Sequence, residues 1–214
     1  MGAREPTSRE GVVMAADQRR LDWDERHKGG DFEGDGPNPT LVAGAAGLVP
    51  GSALELASGS GTNAVWLAQQ GWQTTAVDWS PVGLANGKAK ADAAGVAVDW
   101  QERDLFEWSP PARSFDLVVI AYLHLPPDER GPVYAHAAAA VAPGGRLLIV
   151  GHDRSHGAEG QPGPDPARLF TANEIAAALQ ASDPELIVER ADVVRRVPLP
   201  GAGPIDALVV LRRP

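Results

Sequence analysis

The 214-residue chain has no cysteine, which excludes disulfides, thiolate metal sites and a cysteine nucleophile together. Basic side chains are scarce: 19 Lys and Arg stand against 28 Asp and Glu, a formal net charge of −9. Sequence-independent binding to nucleic acid needs a basic face, so nucleic acid is set aside as a partner. The paired arginines Arg195-Arg196 and Arg212-Arg213 read as solvated strand ends. Long apolar runs are missing too, with nothing near the ~18 residues of a membrane span. Residues 1–18 lack the basic-then-apolar order of a signal peptide. The expectation is a cytoplasmic chain with no membrane partner, of a length that suits one domain with a proper core. No internal repeat is visible, and nothing in the sequence fixes an oligomeric state.

The residues present are organised around 53–68. Residues 53–57 form a short apolar run of the length of a buried strand. Ser58-Gly59-Ser60-Gly61 turns the chain, and 62–70 reads as a helix with Ala64, Leu67 and Ala68 on one face. A strand, a glycine turn and a helix N-terminus let a ligand approach bare backbone, where free N–H groups and the helix dipole favour polar or anionic groups. Glu55 adds a carboxylate near the end of that strand.

Further strands are expected at 73–77, 96–101, 115–121, 146–150, 185–197 and 205–212. Helices are expected at 81–94, 127–141 and 171–181, the last opened by a Thr171/Glu174 capping box. Before the alternating part, residues 1–16 read as polar and irregular, 17–28 as a charged helix stopped by Gly29-Gly30, and 40–48 as a small-residue helix. We expect 1–49 to form a cap or lid on a domain spanning 50–214. Residues 157–166 and 198–204, rich in Gly and Pro, read as loops. Strands separated by helices imply a parallel sheet with right-handed crossovers, and the last two strands, with no helix between them, an antiparallel edge. Ligands of such sheets lie outside the carboxyl ends of the strands. The polar residues there are Glu55, Asp78, Asp104, Tyr122 with His124, and His152 with Asp153.

Gly59-x-Gly61-x-x-Ala64 fits the dinucleotide fingerprint, a pattern of low specificity when alone. Asp78, at the end of the second strand, is placed to hold a ribose diol or to cap the helix that starts at Pro81. Asp104 is placed to hold an adenine amino group or to sit solvated in its loop. His124, just past the fourth strand, is a candidate general base, with His152 and Asp153 a second candidate on the substrate side; each can also be structural. His124, His136, His152 and His156 lack the spacing of metal ligands, so no metal is expected.

The order Glu55-Leu56-Ala57-Ser58-Gly59-Ser60-Gly61, Val77-Asp78, Arg103-Asp104, Phe115-Asp116-Leu117-Val118-Val119-Ile120 and Pro143-Gly144-Gly145 resembles the class I S-adenosylmethionine (SAM)-dependent methyltransferases. Trp23-Asp24-Glu25-Arg26-His27, Gly36-Pro37-Asn38-Pro39 and Asn63-Ala64-Val65-Trp66-Leu67-Ala68 resemble their tellurite-resistance and thiopurine-type branch. The resemblance implies an α/β fold: a Rossmann-like, doubly wound seven-stranded sheet, mostly parallel, with an antiparallel edge strand and helices on both faces. It implies SAM as cofactor, S-adenosylhomocysteine as product and a small-molecule acceptor bearing a thiol, chalcogen oxyanion, hydroxyl or amine. By the same resemblance Ala57, Gly59 and Gly61 pass beside the methionine and ribose, with Glu55 near the amino end and Asn63 a further cofactor-binding residue. Asp78 binds the ribose, Trp79 packs on adenine, and Asp104 and Leu105 lie at the adenine edge. Ala121 and Tyr122 face the methionine, while Trp23 and Arg26 act as lid residues. Ala57 departs from the family's usual glycine, which implies a looser backbone approach. Two rival readings share the glycine turn: an NAD(P)-dependent oxidoreductase and a non-catalytic SAM-binding module. The antiparallel edge, Glu55 before the turn and the absence of a Tyr-x-x-x-Lys pair speak against the first.

Overall fold

Alternating apolar runs and capped helices assemble into one seven-stranded sheet in a computed structural model that describes residues 8–28, 36–158, 164–195 and 204–214. The strands are β1 (Ser52–Leu56), β2 (Gln73–Asp78), β3 (Val98–Glu102), β4 (Phe115–Ala121), β5 (Val141–His152), β6 (Ile187–Arg195) and β7 (Ile205–Arg212). Their order is β3-β2-β1-β4-β5-β7-β6. β1 pairs in parallel with both β2 and β4, so the winding reverses there and a crevice opens between them at the carboxyl edge. β7 runs antiparallel to β5 and to β6, and it is therefore the one strand whose first residues, not its last, lie at that edge.

The helices are α1 (Ser8–Lys28), α2 (Pro39–Ala45), α3 (Thr62–Gln69), α4 (Pro81–Ala94), α5 (Pro127–Ala140), α6 (Arg154–Ala158) and α7 (Ala172–Ser182). Local chemistry sets their ends. Ser80 caps α4 by accepting from the Gly83 N–H, Pro81 occupies the first turn, and Gly95 stops the helix in the left-handed region. Thr171 and Glu174 form the expected capping box of α7. The sheet buries both faces. Leu54, Leu56, Val118, Ile120, Leu147 and Ile149 pack with α5 and α7 on one side. Leu117, Val119, Leu148 and Val150 pack with Leu41 of α2 and Leu67 of α3 on the other. Each such side chain stabilises the fold by roughly 1.5–3 kcal/mol, which explains why 115–121 is apolar at almost every position instead of alternating.

Several expected boundaries change. Residues 8–16, expected irregular, belong to α1; Met14, Ala15 and Ala16 are good helix formers among the polar residues. Residues 1–7 and Gly29-Gly30 lie outside the described residues, as do 159–163 of the 157–166 loop and 196–203, most of the final linker. The helix expected at 40–48 ends at Ala45. The helix expected at 127–141 ends at Ala140, because Val141 already pairs with Phe115 and begins β5. Pro143-Gly144-Gly145 is an irregularity within β5, at a register shift against β4. A Cβ at Gly145 would lie within 2.9–3.0 Å of three backbone oxygens, so the chain closes there only with glycine. Two short turns escaped the sequence reading: α6, and a 3-10 turn at Pro166–Arg168.

Candidate functional site

Past β1 the chain turns in a run of left-handed residues: Ala57 at φ 55°, Gly59 at 54° and Gly61 at 68°. This conformation costs a residue with a side chain roughly 1–2 kcal/mol, so the surroundings must hold Ala57 there. Ser58 N–H donates to the Val77 carbonyl at 3.0 Å, and Gly59 N–H donates to the Asp78 carboxylate at 2.8 Å. The backbone approach survives the loss of glycine at position 57. Gly61 does not line the cleft; it caps α3, and a Cβ there would lie 2.3 Å from the Trp100 ring.

Asp78 ends β2 buried, with its second oxygen accepting from the Ser80 N–H at 2.8 Å. Burial pushes its carboxyl above the usual range, against the opposing pull of those N–H groups and of nearby His27. The helix cap is Ser80, not Asp78. Asp78 thus pins the glycine turn to the end of β2, and it lines the cleft while doing so.

The cleft measures about 690 Å³, within the usual range for a small-molecule site. On the side of β2 and β3 its wall holds Trp79, with Phe106 tilted against it at 6.4 Å, and Asp104 and Leu105. One Asp104 oxygen accepts from the Phe106 N–H at 2.9 Å, which shapes that loop. Deeper in, buried Glu55 accepts from the Asn63 side chain at 2.9 Å, and Asn63 accepts from the Asn38 N–H at 2.9 Å.

Across the mouth runs α1. Asp24 accepts from the Ser80 hydroxyl, and the His27 carbonyl accepts from Asn86 at 3.0 Å. At the other side Arg19 donates twice to Glu129 of α5, at 3.1 and 2.8 Å, and lies 5.0 Å over the Phe106 ring. Trp23 and Arg26 line the cleft beneath this clasp, the guanidinium 4.7 Å above the indole.

The far wall is a polar network from three strands. Ala121 and Tyr122 end β4, with Tyr122 at φ 57°. The Tyr122 hydroxyl accepts from Asn38 at 2.7 Å and donates to Asp206 at 2.8 Å. Thr40 also donates to Asp206, at 3.1 Å. His152 stands directly opposite Asp206 across the β5–β7 pair, its Nδ1 3.5 Å from a carboxylate oxygen. His124 Nε2 accepts from the His152 backbone N–H at 3.0 Å. Burial, with the neighbouring His152, pushes His124 down to about 4. Asp153, expected beside His152 on the substrate side, does not line the cleft: it is buried behind it and accepts from the Ser155 N–H and hydroxyl. Strand alternation explains this, since successive residues point to opposite faces.

The sequence reading missed Asn38, Arg19, Phe106 and Asp206 as parts of this site. Asp206 did leave a signal: it is the one carboxylate in a strand that is otherwise apolar up to Leu211. Among the described residues no group of three or more His, Asp or Glu is placed to hold a metal ion, and no helix is long and apolar enough to cross a membrane.

The reversing sheet, the glycine turn at its crevice and the antiparallel β7 make this the Rossmann-like methyltransferase fold. Residues 53–145 match a family described as a methyltransferase domain. Over 103 residues the chain is 31% identical to a demethylmenaquinone methyltransferase of Thermus thermophilus. That match spans 47% of this chain and 47% of the relative, so the chain aligns with about half of that protein's length. Among solved structures, the 1,6-didemethyltoxoflavin-N1-methyltransferase of Burkholderia thailandensis, with bound 1,6-didemethyltoxoflavin and S-adenosylhomocysteine, superposes with a TM-score of 0.69 at 24% identity, covering 100% of this chain and 93% of that one. A protein from the conversion of a disulfide bond into a thioacetal group in echinomycin biosynthesis gives 0.69 at 22%, covering 91% and 92%.

Proposed function

We propose that this chain is a SAM-dependent methyltransferase acting on a small molecule. The observation that carries the reading is the Gly59–Asp78 hydrogen bond at the switch point, which fixes a bare-backbone turn beside a buried carboxylate. SAM, when bound, supplies a methyl group on a sulfonium that departs as a neutral thioether. The residues fit such a group. Asp78 keeps acceptor capacity for ribose hydroxyls beyond its backbone partners. Trp79 and Phe106 offer an aromatic shelf for adenine, and Asp104 and Leu105 its edge. Glu55 and Asn63, with Ala57, Ala121 and Tyr122, surround the methionine end, and Trp23 and Arg26 cover it from α1. The remaining task of the protein is alignment and exclusion of water, for which the α1 clasp is suited.

The family match and the two methyltransferase relatives support the same reading. The likeness of residues 23–27, 36–39 and 63–68 to the tellurite-resistance and thiopurine branch keeps thiols and chalcogen oxyanions beside hydroxyls and amines as acceptors. The acidic surface speaks for a small acceptor rather than a nucleic acid, and the chain is expected in the cytoplasm.

Calorimetric titration with SAM, S-adenosylhomocysteine, NADH and NADPH in parallel tests the reading. Both adenosyl sulfur compounds should bind, and Asp78→Asn should weaken them roughly tenfold or more, the loss of a hydrogen bond to a charged group. Binding of a nicotinamide cofactor instead would overturn the proposal.

A further inference from the structure

Three imidazoles stand in one stack at the wall of the cleft. His152 lies between His156, 4.3 Å away, and His124, 5.3 Å away, with both neighbouring ring planes within 7° of its own. The outer two rings are committed to backbone. His124 Nε2 accepts the His152 N–H, and His156 Nδ1 accepts the Ile205 N–H at 3.3 Å. A proton on either nitrogen would break its bond and set two donors face to face, so neither nitrogen is available to take a proton from a substrate.

The middle ring is differently placed. Its Nδ1 is buried and faces Asp206, which is fully buried at the register position opposite. The other Asp206 oxygen is occupied by donors from Tyr122 and Thr40, which fix the carboxylate from two further elements. The His152 side chain remains 17% exposed. His152 also lines the cleft, so with Nδ1 turned to Asp206 its Nε2 is the ring nitrogen that remains for a ligand.

We infer that His152 is the proton acceptor of this site, that Asp206 is its positioning residue, and that the methyl acceptor therefore carries a neutral O–H or N–H. The inference rests on the methyltransferase reading above. Asp206 holds the proton of the neutral ring on Nδ1, leaving the Nε2 lone pair toward the acceptor. The acceptor's O–H or N–H bond breaks, its proton goes to Nε2 and its electron pair stays on oxygen or nitrogen. That pair forms the new bond to the transferred methyl group, while the sulfur–methyl pair stays on sulfur. The imidazolium left beside the Asp206 carboxylate returns its proton to water. A thiolate or chalcogen oxyanion needs no such base, so a built His–carboxylate pair selects the neutral acceptors from the wider set. His124 is a wall of the slot rather than the base.

Long-range 1H–15N correlation spectra of the full chain labelled at histidine test the assignment without any acceptor. The wild type at pH 8 should show His152 with its proton on Nδ1, favoured roughly tenfold or more over Nε2, as a buried carboxylate 3.5 Å away implies. Asp206→Asn should abolish or reverse that preference in protein whose thermal melt shows it folded. A wild-type ring protonated mainly on Nε2 overturns the inference, and this reading needs no substituted protein to fold. In a second arm, product release is measured with catechol, uracil, thiophenol and tellurite. Turnover of catechol or uracil that falls by roughly 10²-fold or more in His152→Gln supports the base. Turnover of catechol or uracil unchanged by His152→Gln overturns it, whereas thiophenol and tellurite, which need no base, should be insensitive to the substitution. If none of the four is consumed, the proton position decides alone. Failure of SAM and S-adenosylhomocysteine to bind the wild type overturns the methyltransferase reading separately.

Discussion

His124 is a residue whose titration the fold disturbs strongly, and the direction has a consequence for stability. Its folded-state value near 4 lies below the ordinary 6.5, chiefly through burial. Between those values the unfolded chain binds a proton that the folded chain refuses, so stability rises with pH across the window and is lost on acidification from 6.5 toward 4. The full penalty is on the order of 3 kcal/mol. His124→Gln keeps an acceptor for the His152 N–H and removes the titration. Thermal melts at pH 4.5 and 7 should then differ less than those of the wild type; an equal or larger difference would remove His124 as the cause. Ala57 offers a second test at this scale. Its left-handed backbone costs roughly 1–2 kcal/mol, and glycine relieves this for an entropic cost of roughly 0.5–1. Ala57→Gly should therefore leave stability unchanged or raise it by up to about 1 kcal/mol in urea titrations, with SAM affinity retained. A clear loss of stability would show that the alanine methyl makes contacts that outweigh the strain.

At the scale of elements, the site depends on how closely α4 lies against the glycine turn. A Cβ at Gly83 would sit 2.9 Å from the Gly59 carbonyl oxygen and 3.1 Å from the His27 ring. The first neighbour is backbone and cannot swing aside, and the second belongs to α1. Gly83→Ala should push α4 and α1 off the turn together, costing about 1–3 kcal/mol and weakening SAM binding in the same variant. Calorimetry alongside urea denaturation checks both losses; a loss of stability with full SAM affinity would uncouple α4 from the turn. Nothing in the sequence marks Gly83, because its meaning lies in a contact across twenty-four residues. The elements themselves were legible: apolar runs, proline at helix starts and the Thr171/Glu174 box each act locally. Asp78 was legible for its place at a strand end. Its job of pinning Gly59 was not, and neither was the turn of Asp153 away from the cleft, because one residue of strand register decides which face a side chain meets. Asp206 stayed hidden because the antiparallel β7 enters the sheet at the edge where its neighbours leave it. Phe115-Asp116, one of the recognisable motifs, turned out to lie at the opposite edge, with Asp116 accepting from the Ser52 N–H and hydroxyl at 2.8 Å.

Across the whole molecule, β7 joins the cleft to the far side of the sheet. At one end it sets Asp206 against His152; at the other, just past the strand, buried Arg213 gathers three elements. Its guanidinium donates to the Ala138 carbonyl of α5 and the Val141 carbonyl of β5 at 3.0 Å each, and to Asp183 after α7 at 2.6 Å. Asp183 is part-exposed and can rehydrate, but the two carbonyls lose a buried donor if the arginine is removed. Two buried acceptors left wanting, at roughly 1–3 kcal/mol each and with water repairing part of the deficit, put the cost of Arg213→Met at about 2–4 kcal/mol. The cleft lies at the other edge of the sheet, with the length of β7 between them. Arg213→Met should accordingly lower the urea midpoint without changing SAM affinity at a temperature where the variant is folded. Asp206→Asn should do the reverse to the His152 tautomer while leaving the Arg213 end intact. If Arg213→Met also shifted the His152 proton, the strand would have to be transmitting strain along its length, and the two ends could no longer be treated as independent. Separable effects would instead show one strand serving as core, anchor and site support through different residues.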